Sequence, residues 1–255
     1  MKKLFLLAAV CFAVSVTSAQ PGKTAAVAAP KNNAHINVFN QALLSGDLET
    51  AVLALNYYIA EQKGNTPYAD TLAMLYMQQG AFAQCYYWAD KRLALKPEDV
   101  VLMEMKAVSL DKLQQPTEAI TLFEKLFKKT QSPFHGYKLM ELQYGLKRLI
   151  EAVATAQATE KLQFKPEYVM PYTVGQQTGR TYLQAGVYNI HALALYDLDK
   201  KAEAKAYFEK ALALDSNFVL AKQNLEAMKA AESTVPKTNA QGPVGNPSSP
   251  ANKQN

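Results

Sequence analysis

Histidine is the side chain best suited to acid–base or metal chemistry near neutral pH, and this 255-residue sequence has three of them: His35, His135 and His191. The three lie far apart and lack the i, i+4 spacing or the cysteine companions of a helical zinc site. His191 lies between Ile190 and Ala192 on an apolar stretch, which favours a packed histidine over a pH switch. The spacing therefore predicts no metal site.

Residues 175–181, GQQTGRT, are similar to a phosphate-binding loop. Three residues separate the two glycines where the loop needs four, and Arg180 stands where it needs lysine, so we interpret the segment as a turn. The sequence also contains no G-x-S-x-G elbow and no H-E-x-x-H pair. We therefore expect a protein that is not an enzyme and that has no cofactor.

The first 19 residues have the pattern of a secretory signal. Lys2 and Lys3 precede an apolar run, and small residues precede a predicted cleavage site between Ala19 and Gln20. The run is too short for a transmembrane helix, which needs about 20 apolar residues. Because Val10 precedes Cys11, cleavage is favoured over lipid attachment. The pattern predicts export to the periplasm or cell envelope of a Gram-negative bacterium, with no transmembrane segment after signal removal.

Charge and cysteine content restrict the partners of the exported chain. The formal net charge is +5, and removal of the two signal lysines lowers it by two, so nothing indicates a nucleic-acid partner. Cys85 is then the only cysteine, and an intramolecular disulfide is excluded. We expect Cys85 to be buried; an intermolecular bridge that forms a homodimer is the less favoured alternative.

The sequence repeats a spacing of small and large residues, most clearly in residues 188–217. There, Ala204 is preceded by Ala192 and followed by Phe208 and Ala211, a pattern that lets two antiparallel helices approach closely. The same frame recurs upstream at intervals of 34, 34 and 33 residues, followed by a longer interval of 52. We call the central small residue of each repeat its anchor: Ala51, Cys85, Ala119, Ala152 and Ala204.

This period and pattern resemble the tetratricopeptide repeat family, whose repeats are 34 residues long. The resemblance covers residues 33–231 and implies an all-α protein: a right-handed α-solenoid of about five helix pairs with a C-terminal capping helix. It further implies that the first helices of the pairs line a concave groove that binds an extended peptide or a partner protein.

The composition outside the repeat frame divides the chain further. Residues 20–31 are predicted to be a linker, residues 32–231 the solenoid, and residues 232–255 a disordered tail rich in Pro, Gly, Ser and Asn. The long interval before the last repeat contains an insertion at residues 168–184. Its Tyr, Val and Thr residues flank a glycine-bounded centre, which predicts a short hairpin or extended loop.

The repeat frame places a set of side chains, including Leu44, Met74 and Val101, on the concave side, where they are predicted to form a peptide groove. Among them, Asn40 and Asn189 could hold a ligand backbone, and five carboxylates outnumber the one cation, Lys112. We therefore expect a groove that prefers a neutral or basic segment, although each tyrosine could equally pack between repeats. The predicted groove residues are Asn40, Asp70, Met74, Met77, Glu104, Asp111, Tyr137, Glu141, Tyr144, Asn189 and Tyr196.

The resulting hypothesis is a protein–protein interaction module or scaffold in the bacterial cell envelope. The alternative is a structural component of an envelope assembly that associates with itself. Because a fold does not determine a function, both rest on the family resemblance and on the projected groove.

Overall fold

The computed structural model describes residues 33–64 and 66–233. The predicted signal with its cleavage site at Ala19 and Gln20, and the predicted linker at 20–31, lie outside the described residues. The predicted tail lies outside them from residue 234 onward. Residues 232 and 233, assigned to that tail, belong to the last helix instead.

The described residues form eleven α-helices and one β-hairpin, in an all-α architecture interrupted once. The helices pair in sequence into five units, each with a first and a second helix, followed by a final helix α11. The helices are α1 Ala34–Ser45, α2 Leu48–Glu61, α3 Tyr68–Gln78, α4 Phe82–Leu93, α5 Val100–Lys112, α6 Pro116–Thr130, α7 Pro133–Gly145, α8 Leu149–Glu160, α9 Leu183–Asp197, α10 Lys201–Leu214 and α11 Val219–Ser233.

Helix starts follow from capping side chains and prolines. The Asn33 side chain accepts hydrogen bonds from the backbone N–H groups of His35 and Ile36 at the start of α1. At the start of α5, the Asp99 side chain accepts hydrogen bonds from the backbone N–H groups of Val101 and Leu102. Pro116 and Pro133 occupy the first turns of α6 and α7, where their missing N–H group costs nothing.

The turn between the two helices of every unit contains one residue with a left-handed backbone. These residues lie at the same place in the frame, five before the anchor, and only the first two are glycine. They are Gly46, Gly80, Gln114, Lys147 and Asp199, with φ of 73°, 71°, 61°, 60° and 61°. The repeated conformation shows that all five units make the same turn, whichever residue they place there.

The five anchors lie at the centre of the helix packing. All five are completely buried, so the helices of each unit approach closely at these points. Each helix packs against the next along the chain, and the first helices also contact across units, as α7 does with α9. The arrangement confirms the predicted helical solenoid.

The insertion is a two-stranded antiparallel hairpin, β1 Val169–Val174 and β2 Gln177–Tyr182. Val169 pairs with Tyr182 and Val174 with Gln177, which leaves a two-residue turn at Gly175. The hairpin is shorter than the predicted insertion of 168–184, because Leu183 and Gln184 already belong to α9.

The hairpin and α11 both pack onto the fifth unit. Met170 joins the cluster that contains Tyr137 and Leu193, and Leu225 and Met228 of α11 belong to the same cluster. The ring of Tyr172 packs edge-on against Phe218, with the centroids 5.0 Å apart. The final unit is therefore covered on both sides. No helix of the described residues is long and apolar enough to cross a membrane.

Candidate functional site

The predicted groove is open along the first three units. Leu44 at the end of α1 is 84% exposed and Met74 in α3 is 42% exposed, while Asn40 is also exposed. Val101 at the start of α5 is 59% exposed, and Met77 is half-buried. The first helices of these units thus present apolar side chains and an amide to solvent, which can bind a partner by burial and by hydrogen bonds to its backbone.

The corresponding positions of the last two units are closed, which corrects the prediction of one continuous groove. Tyr137, Tyr144, Asn189 and Tyr196 are all buried, with at most 5% of their surface exposed. Asn189 accepts a hydrogen bond of 3.1 Å from Asn224 of α11, so it holds the final helix and is not available as a clamp.

The closure has a local cause at Gly186 in the first turn of α9. A Cβ atom there would collide with Met170 Sδ of the hairpin and lie 3.1 Å from the Tyr137 ring. The hairpin therefore packs directly on the groove side of α7 and α9. Burial raises the pKa of Tyr137 well above its usual value, which keeps the phenol neutral.

Cations outside the predicted groove positions compensate two of the five predicted groove carboxylates. Asp70 forms ion pairs with the buried Arg92 of α4 and with Lys96, whose Nζ lies 2.6 Å from its carboxylate. Asp197 pairs with Lys147 at 2.8 Å. These carboxylates attract a ligand less strongly than isolated ones would.

Lys138, Asp111 and Glu141 form a buried ionic cluster between α5 and α7. The Lys138 Nζ lies 2.8 Å from Asp111 and 2.7 Å from Glu141. Burial disfavours the charge of Lys138, but the two carboxylates outweigh it and raise its pKa. Burial raises the pKa of Glu141. The cluster ties the third unit to the fourth, and sequence reasoning missed it because Lys138 is outside the projected groove positions.

A depression lies beside this cluster on the groove side, between α5 and α7. Its mouth includes Glu104, whose side chain is 46% exposed and whose carboxylate lies 3.7 Å from His135 Nε2. Thr130 Oγ1 is 2.7 Å from His135 Nδ1 and fixes the ring. The lining residues are Glu104, Val108, Asp111, Lys112, Phe123, Phe134, His135 and Lys138.

His191 lies in a second polar cluster, inside the packing of the last two units. It is almost completely buried, and its Nδ1 is 2.5 Å from Glu160 Oε1. The Tyr207 hydroxyl donates a 3.2 Å hydrogen bond to the other oxygen of Glu160, and burial with this carboxylate raises the pKa of Tyr207 to about 12. The cluster joins α8, α9 and α10 through a buried histidine and a partly exposed carboxylate.

The described part of the chain shows neither a cluster of metal ligands nor an accessible cysteine. No three His, Cys, Asp or Glu side chains of residues 33–64 and 66–233 converge as metal ligands. Cys85 is completely buried, and burial raises its thiol pKa. The alternative of a dimer bridged through Cys85 is therefore inconsistent with this structure, because its sulfur cannot reach another chain without opening the second unit.

Comparison with known proteins supports the fold. Residues 185–218, which span most of α9 and all of α10, match the tetratricopeptide repeat family. No curated protein sequence matches significantly. Among solved structures, "YrrB: a TPR protein with an unusual peptide-binding site" is similar over 75% of this chain and 90% of its own, with TM-score 0.60 and 15% identity.

A second group of similar structures carries the name MamA. One MamA crystal structure is similar over 71% of this chain and 90% of its own, with TM-score 0.59 and 16% identity. A MamA from Desulfovibrio magneticus RS-1 is similar over 72% of this chain and 95% of its own, with TM-score 0.57 and 17% identity. One repeat, residues 185–218, thus matches the tetratricopeptide repeat family by sequence, and the helical fold is shared with YrrB and the MamA structures.

Proposed function

We propose that the concave surface of the first three units binds an extended segment of a partner protein, without catalysis. The observation that carries the proposal is the difference in exposure along one repeat frame. Groove positions of units one to three, such as Leu44, Met74 and Val101, face solvent, whereas those of units four and five are filled by the protein itself. The open stretch is the part of the groove that a ligand can enter.

The chemistry of the open stretch suits a peptide backbone with apolar side chains. Met74 and Met77 adapt their flexible side chains to varied apolar partners, and the Asn40 amide can both donate to and accept from a backbone peptide group. YrrB, which has a similar fold, is described as having an unusual peptide-binding site. That description supports peptide binding by this chain as a proposal.

A random peptide library displayed on phage tests the proposal directly. The mature protein should enrich a peptide family, and the double variant Leu44→Asp with Met74→Asp should lose it. Ile150→Asp is the control, because Ile150 is 76% exposed on α8 and outside the predicted groove. Retention of the selected peptides by the double variant, or failure of the wild-type protein to select any, would exclude the groove as the binding surface.

We further propose that the protein acts in the bacterial cell envelope. The support is the charged and apolar pattern of residues 1–19, followed by small residues at the predicted cleavage site. Mass spectrometry of the protein from fractionated cells should find Gln20 as its first residue, in the periplasmic or envelope fraction. An uncleaved chain in the cytoplasmic fraction would exclude export.

Self-association is a second candidate function, favoured by exposed apolar side chains on α2. Leu53 and Tyr57 are each 56% exposed on this helix. Light scattering over a range of concentrations should then show a dimer, and Leu53→Asp should abolish it. A monomer at every concentration would leave binding of a different protein as the function.

A further inference from the structure

We propose that the outer edge of strand β2 binds an extended strand of a partner protein, with an acidic side chain opposite Arg180. This surface is separate from the open groove of the first three units, so the inference goes beyond the proposed function. The hairpin has only two strands, and each strand therefore has one edge without a neighbouring strand. Such an edge presents backbone N–H and C=O groups with which a further strand can pair.

The register determines which backbone groups of β2 point away from the hairpin. The Leu183 N–H donates a 2.8 Å hydrogen bond to the Tyr168 C=O, immediately beyond the strand ends. Hydrogen-bonded and non-hydrogen-bonded pairs alternate along an antiparallel ladder, so Thr178 and Arg180 both lie in non-hydrogen-bonded pairs. The N–H and C=O groups of these two residues therefore point to the outer edge of β2.

The outer edge of β2 is open, whereas that of β1 is partly closed. Thr178 and Arg180 are exposed, and Tyr182 is 46% exposed. On β1, the outward positions Pro171 and Thr173 are half-buried, and proline has no N–H group to donate. Among the described residues, no other group forms a hydrogen bond with the Thr178 or Arg180 backbone. An added strand therefore fits along β2.

The Arg180 side chain determines the chemistry of the added strand. It lies on the exposed face of the hairpin, because side chains alternate along a strand and the neighbouring Thr181 is buried on the packed face. No carboxylate of the described residues lies within ion-pair distance of the Arg180 guanidinium. The residue opposite Arg180 on an added strand would share its face, where an acidic side chain is attracted and a basic one is repelled.

The same arginine disfavours a second copy of this chain as the added strand. A two-fold pairing of two β2 strands through both Thr178 and Arg180 would place the two arginines directly opposite or diagonally adjacent on one face. Like charges in these positions repel each other, and β2 contains no acidic residue that could compensate them. A different protein that supplies the carboxylate fits this edge better.

An array of short peptides tests the acidic preference on the mature chain. In each peptide Val and Thr, which favour extended strands, alternate with Glu, Gln or Lys in every combination. Fluorescence anisotropy should show binding of peptides with Glu at one fixed position, and about tenfold weaker binding with Lys there. Arg180→Glu should reverse this preference. Lys205→Glu, the control with the same charge change at an exposed position of α10, should keep it.

A pair of proline variants tests the backbone edge itself. Thr178→Pro removes an outward N–H group and should weaken binding of the Glu peptides about tenfold or more. Thr173→Pro is the matched control, because it makes the same change directly across the hairpin on the edge of β1. Thermal melting should show that both variants remain folded. Equal binding by Thr178→Pro and wild type, or equal losses in both variants, would overturn the inference.

Hydrogen exchange followed by NMR locates the bound peptide. The N–H groups of Thr178 and Arg180 should exchange freely in the free protein and become protected by a Glu peptide. Retained binding by Leu44→Asp with Met74→Asp would support the edge independently of the groove proposal, whereas lost binding would place the peptide in the groove and overturn the inference. An array without any bound peptide, or self-association that Thr178→Pro abolishes, would also overturn it.

Discussion

The first three units and the last two follow the same repeat frame but expose it differently. In the first part, α1, α3 and α5 leave Leu44, Met74 and Val101 open to solvent. In the second part, α7 and α9 are buried on nearly every side, by neighbouring helices, the hairpin and α11. One repeat pattern thus builds both a surface and a core.

The difference shows that position within a repeat does not by itself determine exposure. Met74 and Leu193 each lie eleven residues before their anchors, yet Met74 is 42% exposed and Leu193 only 4%. The exposure of a position depends on whether a segment outside the repeat frame, such as the hairpin, covers it. The hairpin comes from the only interval between anchors that departs strongly from the repeat length.

Truncation at this shared position should give the largest effect. Leu193→Ala removes a buried side chain from the cluster around Tyr137 and should lower the free energy of unfolding by about 3 kcal/mol. Met74→Ala, at the equivalent exposed position, should lower it by less than about 1 kcal/mol. Urea denaturation followed by circular dichroism measures both. Equal losses would show that the two parts are packed alike.

The close approach of the hairpin to α9 should give the next largest effect. Gly186→Ala places a methyl group against Met170 and Tyr137, which should cost about 2 kcal/mol of stability by overpacking. Gly145→Ala is the matched control, because a Cβ there meets no atom within 4 Å. Adding Met170→Ala to Gly186→Ala should restore part of the loss. A neutral Gly186→Ala would mean that the hairpin does not seal the groove.

The helix pairs could be predicted from sequence because their signal is local. Small anchors such as Ala51 and Ala204, with large residues at fixed distances, are required wherever two helices approach closely, and both anchors are completely buried. The hairpin was partly predictable for the same reason, since its alternating residues flank a turn in one short segment.

The state of the groove could not be predicted, because it depends on contacts between distant segments. Arg92 compensates Asp70 from the following helix, and Lys138 lies at a position that the frame does not assign to the groove. Burial of Tyr137 depends on where the hairpin folds back. No periodicity in the sequence specifies that contact, which is why an open groove was predicted along all five units.

The left-handed turns offer a third test, of how alike neighbouring units are within the first part. Gly80→Ala should cost about 1 kcal/mol, because alanine is strained at φ of 71° although its Cβ would have room. Gln114→Gly, at the equivalent turn of the next unit, should raise stability by roughly 0.5 kcal/mol, since relief of strain exceeds the added chain entropy. Chemical denaturation measures both changes. A destabilised Gln114→Gly would show that the glutamine side chain supports its turn.

The smallest effect should come from Tyr144, which closes the groove at the end of α7. Burial, followed by the charge of Asp197 and a hydrogen bond to it, raises the Tyr144 pKa above its usual value of 10. The folded chain therefore keeps the phenol proton at pH values where the unfolded chain releases it. The stability that the neutral phenol contributes is present below pH 10 and is lost as the pH rises further.

Tyr144→Phe should cost roughly 0.5–1 kcal/mol of stability at pH 7, through loss of the hydrogen bond, and the difference from wild type should close above pH 10. Urea denaturation at both pH values measures it, with the exposed Tyr57→Phe as the control for which no change is expected. A gap that stays constant up to pH 11 would show that solvent reaches the Tyr144 hydroxyl, and that the closed part of the groove opens at its edge.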